Sequence, residues 1–168
     1  MKKIHIIGLG LLGGSFALAT KKAKPEMEIT GFDSDEQNIA IALEMGLIAK
    51  SLSVPDKGTD LVILATPVDT LFDLLVKTLD QIGEHTLVMD FGSTKDQLCR
   101  QITEHPKRAQ YLAVHPIAGT ENSGPKAAKE DLFDGNVMII CEMEKTDVHL
   151  KGMAYDIFDA LNLRLRFM

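Results

Sequence analysis

The segment that decides the fold is K-K-I-H-I-I-G-L-G-L-L-G-G-S, residues 2–15. Its apolar start has the length of a strand, and three glycines follow at G-x-G-x-x-G spacing before a second stretch of helical length. Gly8 permits a tight turn, Gly10 lets the backbone approach a pyrophosphate, and Gly13 lets a helix pack closely on the strand. The pattern therefore predicts the strand, turn and helix that open a dinucleotide-binding unit.

The acidic residue that such a unit needs is Asp33, twenty positions after Gly13 and at the end of the second predicted strand. A carboxylate there accepts hydrogen bonds from both adenosine ribose hydroxyls and repels a 2′-phosphate. The first amides of the helix, at Leu11 and Leu12, would meet the phosphates. We therefore expect NAD rather than NADP, although the neighbouring Ser34 leaves some room for NADP. The alternative is a glycine turn in a non-binding sheet, with a surface aspartate after it.

Short apolar runs alternate with longer amphipathic stretches along the chain, which is typical of a parallel sheet with helices on both faces. The order predicts an α/β fold with a doubly wound, mainly parallel Rossmann sheet, formed by one domain over residues 1–168. The predicted strands are Lys3–Gly8, Glu28–Asp33, Leu61–Ala65, Leu87–Asp90, Tyr111–Val114, Val137–Cys141 and Leu163–Phe167.

Three helix starts are predicted from capping residues that have an acidic or amide side chain three positions later. These N-caps are Ser34, Thr66 and Ser93, which place helix starts near Asp35, Pro67 and Thr94. Two further helices are expected over Leu11–Lys22 and Asp147–Leu161.

The composition excludes several classes of function. With 168 residues and a formal net charge of −6, the chain is acidic and has no basic stripe for nucleic acid. Cys99 and Cys141 lack metal-ligand spacing, so no metal is expected and reduced thiols in the cytoplasm are favoured. The uncharged run Ile4–Thr20 imitates a secretory signal, but its glycine spacing argues against that interpretation. No segment has the length of a membrane span.

The chemistry is expected beyond the carboxyl ends of the strands. His115 is the one histidine of five at a predicted strand end facing the cofactor, where an imidazole can take a hydroxyl proton while hydride leaves the same carbon. Thr66 and Pro67 mainly start a helix, and their backbone can line a nicotinamide pocket. For Ser93 a helix cap is a sufficient explanation, and Lys95 is either a solvated residue or a cation that meets an anionic substrate.

Four motifs in order along nearly the whole chain resemble the prephenate/arogenate dehydrogenase family. They are G-L-G-L-L-G-G-S at 8–15, D-F-G-S-T-K at 90–95, H-P-I-A-G-T-E-N-S-G-P at 115–125 and D-L-F-D-G at 131–135. The third motif is the most specific, because glycine fingerprints are shared by many oxidoreductases. Thr94 departs from the family pattern, in which valine is frequent.

The resemblance implies NAD-dependent oxidative decarboxylation of prephenate to 4-hydroxyphenylpyruvate in tyrosine biosynthesis. His115 would match the catalytic histidine that polarises the ring hydroxyl, and Ser93 the serine that helps to place that hydroxyl and the nicotinamide. The loop residues Gly119, Thr120 and Glu121 would lie at the mouth of the substrate site, with Glu121 in a gating or orienting role.

Family members continue into a helical domain that forms the dimer and supplies basic side chains to the substrate carboxylates. We find no such segment after Phe167 and expect this chain to bind NAD but to turn over prephenate poorly. Three alternatives stay open: an arogenate dehydrogenase, another Rossmann dehydrogenase of the β-hydroxyacid type, and a non-enzymatic NAD(H)-sensing module.

Overall fold

The computed structural model describes residues 1–168 as one sheet of eight strands with five α-helices. The strands are β1 Lys3–Ile7, β2 Glu28–Phe32, β3 Lys50–Ser51, β4 Leu61–Leu64, β5 Leu87–Asp90, β6 Tyr111–Ile117, β7 Val137–Cys141 and β8 Arg164–Phe167. The helices are α1 Leu11–Ala23, α2 Glu36–Glu44, α3 Leu71–Gln81, α4 Asp96–Ile102 and α5 Val148–Ala160. None of these helices combines the length and hydropathy that a bilayer crossing requires.

The strand order is β3-β2-β1-β4-β5-β6-β7-β8, and every neighbouring pair is parallel except β6 with β7. The chain therefore moves outward from β1 in one direction and then returns to its other side with β4. This confirms the predicted doubly wound, mainly parallel sheet. All seven predicted strands are present, whereas the two-residue β3 is too short to leave a hydrophobic pattern in the sequence.

Alternate residues of the central strands face two separate cores. In β4, Leu61 and Ile63 pack with α1 and α5 on one face, while Val62 and Leu64 pack with α3 and α4 on the other. Because both faces are covered, the central strands are apolar at most positions, and in β4 at all of them, which is why the sequence shows nearly continuous apolar runs there. The predicted layers of helix, sheet and helix are confirmed.

The three predicted N-caps were wrong, although helices follow each of them. Asp35 replaces Ser34 as the cap of α2, because its carboxylate accepts the amide of Gln37 at 2.8 Å. A short 3₁₀ turn over Val68–Thr70 separates Thr66 from α3. Helix α4 begins at Asp96 without a side-chain cap, so Ser93 lies outside it. The capping explanation of Ser93 therefore no longer applies.

His5 in strand β1 is the only fully buried histidine of the chain. Its side chain is fully buried in β1, and Nδ1 lies 2.8 Å from the Thr30 hydroxyl. Nε2 has no hydrogen-bond partner, so its protonation would place an unpaired charged N–H in an apolar core. Burial lowers the pKa of His5 to about 4, and the negative charge of Asp56 acts in the opposite direction with a smaller effect.

We predict that His5 makes the fold sensitive to mild acid. Because the folded-state pKa lies below that of an unfolded histidine, its contribution to stability is present at neutral pH and is lost as the pH falls from about 6.5 toward 4. Between pH 7 and pH 4.5 this loss should amount to about 2 kcal/mol. Denaturant unfolding at both pH values should show a smaller pH difference for His5→Leu than for the wild type. Equal differences would contradict the prediction.

Candidate functional site

A cavity of about 510 Å³ opens where the strand order reverses, between the carboxyl ends of β1 and β4. In open α/β sheets, ligands bind at this point. Its walls include the glycine turn after β1, the end of β2 and the turn after β4. Five residues predicted from the sequence line it, namely Gly8, Gly10, Asp33, Thr66 and Pro67. The structure therefore brings the main part of the predicted dinucleotide site together.

The glycines of the turn are required by close backbone approaches. Gly8 has a φ of +95°, and a Cβ there would lie 2.4 Å from the Ala65 carbonyl oxygen. A Cβ on Gly13 would lie 1.9 Å from the Gly8 carbonyl oxygen. Gly10 differs, because no atom lies within 4 Å of its Cβ position, which faces open space. Gly8 and Gly13 thus shape the turn, and Gly10 leaves room for a ligand.

Helix α1 presents unpaired amides at this cavity. Its N-cap is Gly10, and the first helical hydrogen bond runs from the Gly14 amide to the Gly10 carbonyl at 2.8 Å. The amides of Leu11, Leu12 and Gly13 therefore have no partner within the helix, and no acidic side chain occupies its first turn. Such an end favours a phosphate group.

The Asp33 carboxylate is already oriented by its surroundings. One oxygen accepts the Leu9 amide at 2.7 Å, and the other accepts the Asp35 amide at 2.9 Å and the Asn38 side chain at 3.3 Å. These contacts tie the end of β2 to the glycine turn and hold the carboxylate at the wall of the cavity. Remaining lone pairs can accept ribose hydroxyls. The residues present therefore fit a dinucleotide.

His115 lies on the same edge of the sheet as the glycine turn, since β1, β4, β5 and β6 all run parallel. The predicted end of β6 at Val114 was wrong, because pairing with antiparallel β7 extends the strand to Ile117 and sets His115 opposite Ile139. Parallel β5 ends earlier, at Asp90 opposite Ala113. His115 consequently projects past β5, next to the turn that follows it.

The imidazole of His115 is half-buried and tends to stay uncharged. Burial is the main cause that lowers its pKa, and the positive charge of Lys95 acts in the same direction. The Phe91 carbonyl and Asp90 act in the opposite direction but do not prevail. Nδ1 is buried and makes no hydrogen bond of normal geometry. A neutral imidazole at this place can accept a proton.

Three polar side chains beside His115 form a cluster that sequence reasoning missed. Asp90 is fully buried and accepts the Tyr111 hydroxyl at 2.6 Å, the Gly92 amide at 3.0 Å and the Lys95 ammonium. Lys95 is therefore not a solvated residue, because only 10% of its side chain is exposed. Burial lowers the pKa of Lys95 despite Asp90, and burial also raises the pKa of Tyr111 well above its ordinary value.

The other predicted residues lie around the same edge but outside the cavity. Ser93 is exposed on the turn between β5 and α4 and makes no side-chain hydrogen bond. The loop after β6 contains Gly119, Thr120 and Glu121, and Glu121 lines a separate shallow depression with Asn122 and Lys126. No cluster of three His, Cys, Asp or Glu side chains forms a metal site.

The chain is similar in sequence to known enzymes. The family profile described as prephenate dehydrogenase, nucleotide-binding domain, matches residues 16–166. Prephenate dehydrogenase of Bacillus subtilis is 42% identical over 150 residues, which cover 86% of this chain and 40% of that protein. The Lactococcus lactis prephenate dehydrogenase is 39% identical over 84% of this chain and 41% of its own length. The chain thus spans about two fifths of these relatives.

The fold is similar to solved structures of the same group. Prephenate dehydrogenase of A. aeolicus, crystallised with hydroxyphenyl propionate and NAD⁺, superposes with a TM-score of 0.91 at 28% identity. The match covers 100% of this chain and 60% of that one. The profile match over most of the chain and the identity to two bacterial enzymes agree with the geometry of the cavity. The chain therefore belongs to the prephenate dehydrogenase family and corresponds to its nucleotide-binding domain.

Proposed function

We propose that the chain binds NAD⁺ and contributes the catalytic histidine to the oxidative decarboxylation of prephenate. The observation that carries this proposal is the shared edge of the sheet, where a dinucleotide-sized cavity and the half-buried His115 both lie. Relatives at 39–42% identity bear the name prephenate dehydrogenase, which favours this substrate over those of β-hydroxyacid dehydrogenases. A cytoplasmic location stays a prediction from the cysteine pattern, and dimerisation through a helical domain stays a prediction from the family resemblance.

The cofactor-binding role falls on the glycine turn, helix α1 and Asp33. The amides at Leu11, Leu12 and Gly13 would bind the pyrophosphate, for which Gly10 leaves space. Asp33 would accept the ribose hydroxyls. Thr66 and Pro67, at the wall formed after β4, would lie along the cofactor toward its reacting ring. Bound NAD⁺ would supply the hydride acceptor.

The proton-transfer role falls on His115. Its neutral imidazole would accept a hydrogen bond from the hydroxyl of the substrate ring. It would take up the hydroxyl proton as hydride passes to NAD⁺ from the carbon that bears the hydroxyl. The substrate carboxylate then leaves as CO₂, and its electron pair restores the aromatic ring. His115 returns the proton to the phenolic oxygen, so the imidazole ends as it began. Ser93, exposed on the neighbouring turn, would help to orient the hydroxyl.

The preference for NAD⁺ gives the first test of the proposed function. We expect calorimetric titration of the chain to show binding of NAD⁺ and at least tenfold weaker binding of NADP⁺, because a 2′-phosphate would meet the Asp33 carboxylate. Asp33→Asn, which removes the charge, should narrow that difference. Glu26→Gln, on an exposed turn away from the cavity, serves as a control. Absence of binding by both nucleotides would overturn the cofactor assignment.

The reaction is tested by NADH formation from NAD⁺ with prephenate or arogenate as substrate. The assay uses the complete polypeptide that carries these residues, since the relatives are longer than this chain. We expect turnover of prephenate that is lost in His115→Asn. NAD⁺ binding without turnover of either substrate would contradict the catalytic proposal and favour a nucleotide-sensing role.

A further inference from the structure

The buried ion pair of Asp90 and Lys95 is the least expected feature of the interior. Asp90 has no exposed surface, and its carboxylate takes donors from Tyr111, Gly92 and Lys95. The Lys95 ammonium also lies 3.3 Å from the Asp90 carbonyl oxygen. Both carboxylate oxygens of Asp90 therefore accept a hydrogen bond.

The turn after β5 is shaped to bring the lysine inward. A Cβ on Gly92 would lie 3.0 Å from Asp90 Oδ2, 3.7 Å from Lys95 Nζ and only 2.4 Å from the Leu71 side chain. A residue larger than glycine would thus push against the wall of the pocket that holds the pair. The chain folds back at Gly92, and Lys95 reaches the carboxylate five positions before it.

Stability does not explain this arrangement well. Removing a carboxylate and an ammonium from water costs several kcal/mol per ion, and apolar residues of similar volume often serve stability as well or better. The position of the pair offers another explanation. The register of β5 and β6 sets Asp90 opposite Ala113, two positions before His115, so the pair lies next to the part of β6 that carries the imidazole and on the same face of the sheet.

We propose that Lys95, held in the interior by an Asp90 carboxylate that Tyr111 orients, is a positioning residue that adds to burial in keeping the His115 imidazole uncharged and ready to accept a proton. This inference deepens the proposed function and rests on it for its catalytic meaning. Lys95 does not need to touch the substrate. Its fixed positive charge disfavours the imidazolium, and its contacts with Asp90 hold the ammonium inside the protein.

The other groups around His115 do not supply the same effect. The antiparallel neighbour β7 places the apolar Ile139 opposite it. Beyond Ile139, Glu142 is paired with Arg108 and Lys145, and Glu121 is exposed on the following loop. Asp90 favours the charged imidazole, but its effect is smaller than that of Lys95. Lys95 is therefore the charged group that disfavours protonation of His115.

Nuclear magnetic resonance tests the proposal directly by following the imidazole signals with pH in the cofactor-free chain. The chain has five histidines, and the signal that disappears in His115→Asn is assigned to His115. We expect Lys95→Met to raise the pKa of His115 by roughly half to one pH unit, as expected when a charge several ångströms away is removed. Lys95→Arg, which keeps the charge, should leave the value near that of the wild type.

A second variant covers the case in which Lys95→Met fails to fold because Asp90 is left unpaired. The double variant Asp90→Asn with Lys95→Met removes both charges and leaves an amide oxygen that can accept the Tyr111 hydroxyl. It should also raise the pKa of His115, by less than the single variant. Lys22→Met, which breaks an exposed pair with Glu130, serves as the control and should have no effect. If the pKa of His115 is unchanged in both proteins that carry Lys95→Met, the proposal is overturned.

These titrations need neither cofactor nor substrate, so they separate the proposal from the proposed function. In the complete polypeptide, Lys95→Met should shift the acidic limb of the pH–rate profile upward by the amount found for the imidazole. If the pKa of His115 rises while the acidic limb of the pH–rate profile does not shift, the role of Lys95 in catalysis is refuted. A failed NAD⁺ titration with a raised pKa would refute only the proposed function.

Discussion

Replacement of Gly13 by alanine is expected to destabilise the fold and to abolish NAD⁺ binding. The new methyl group would lie 1.9 Å from the Gly8 carbonyl oxygen and 3.0 Å from the Ile6 side chain. Both the turn and helix α1 would have to move apart, and such overpacking costs about 1–3 kcal/mol or more. Because the displaced amides are those expected to bind phosphate, binding should fall with stability. Denaturant unfolding and calorimetry measure the two effects.

Gly10→Ala is the informative partner of this substitution. No atom lies within 4 Å of the Gly10 Cβ position, so the free energy of unfolding should change by less than about 1 kcal/mol. The methyl group would nevertheless occupy the space expected for the pyrophosphate, and NAD⁺ affinity should fall at least tenfold. Gly58→Ala, which also adds a Cβ in open space but away from the cavity, is the control. Undiminished NAD⁺ binding by Gly10→Ala would refute the assignment of the turn.

The strands and layers could be predicted because their cause is local in the sequence. A central strand with both faces buried is apolar at most positions, as in Leu61–Leu64, and its short length between longer amphipathic stretches indicates a strand. The glycine turn was predictable for a similar reason, since close backbone approach at Gly8 and Gly13 admits no side chain. Composition and spacing therefore determine most of the fold.

Helix starts were less predictable because several neighbouring residues can cap a helix. Ser34 and Asp35 both carry suitable acceptors, and the hydrogen bond of Asp33 to the Asp35 amide places the second of them at the cap. The turn after Thr66 first forms a 3₁₀ segment, in which the Thr70 hydroxyl lies 2.8 Å from the Pro67 carbonyl. Such competition depends on tertiary contacts, which a local pattern does not contain.

The cluster around Asp90 could not be inferred from the sequence. Tyr111 and Asp90 are separated by 21 positions and meet only because β6 pairs with β5 in one register. Lysine side chains are usually exposed, but Lys95 is buried because the turn at Gly92 directs it back toward Asp90. The extension of β6 past Val114 likewise depends on β7, a partner in the opposite direction. These long-range pairings decide the surroundings of His115.

The largest kinetic effect is expected for His115→Asn. Loss of a positioned general base costs about 10²–10⁴-fold in rate, and asparagine keeps a polar side chain of smaller size at the half-buried site. NAD⁺ affinity should change little, because His115 is not among the residues that line the cavity of Gly8, Gly10 and Asp33. The expected result is therefore a fall in kcat for prephenate with nearly unchanged cofactor binding, together with loss of the acidic limb of the pH–rate profile.

The measurement compares initial rates of NADH formation by the complete polypeptide with calorimetric NAD⁺ titration of the same protein. His85→Asn is the matched control, since His85 is exposed on the turn before β5 and should leave both quantities unchanged. Retention of the wild-type rate by His115→Asn would assign the proton transfer to another group. A rate loss that followed only from weaker NAD⁺ binding would make His115 part of the cofactor site. A fall in kcat alone is the result expected when the imidazole acts on the substrate hydroxyl, because proton removal from that hydroxyl is the step of the proposed reaction that needs a base.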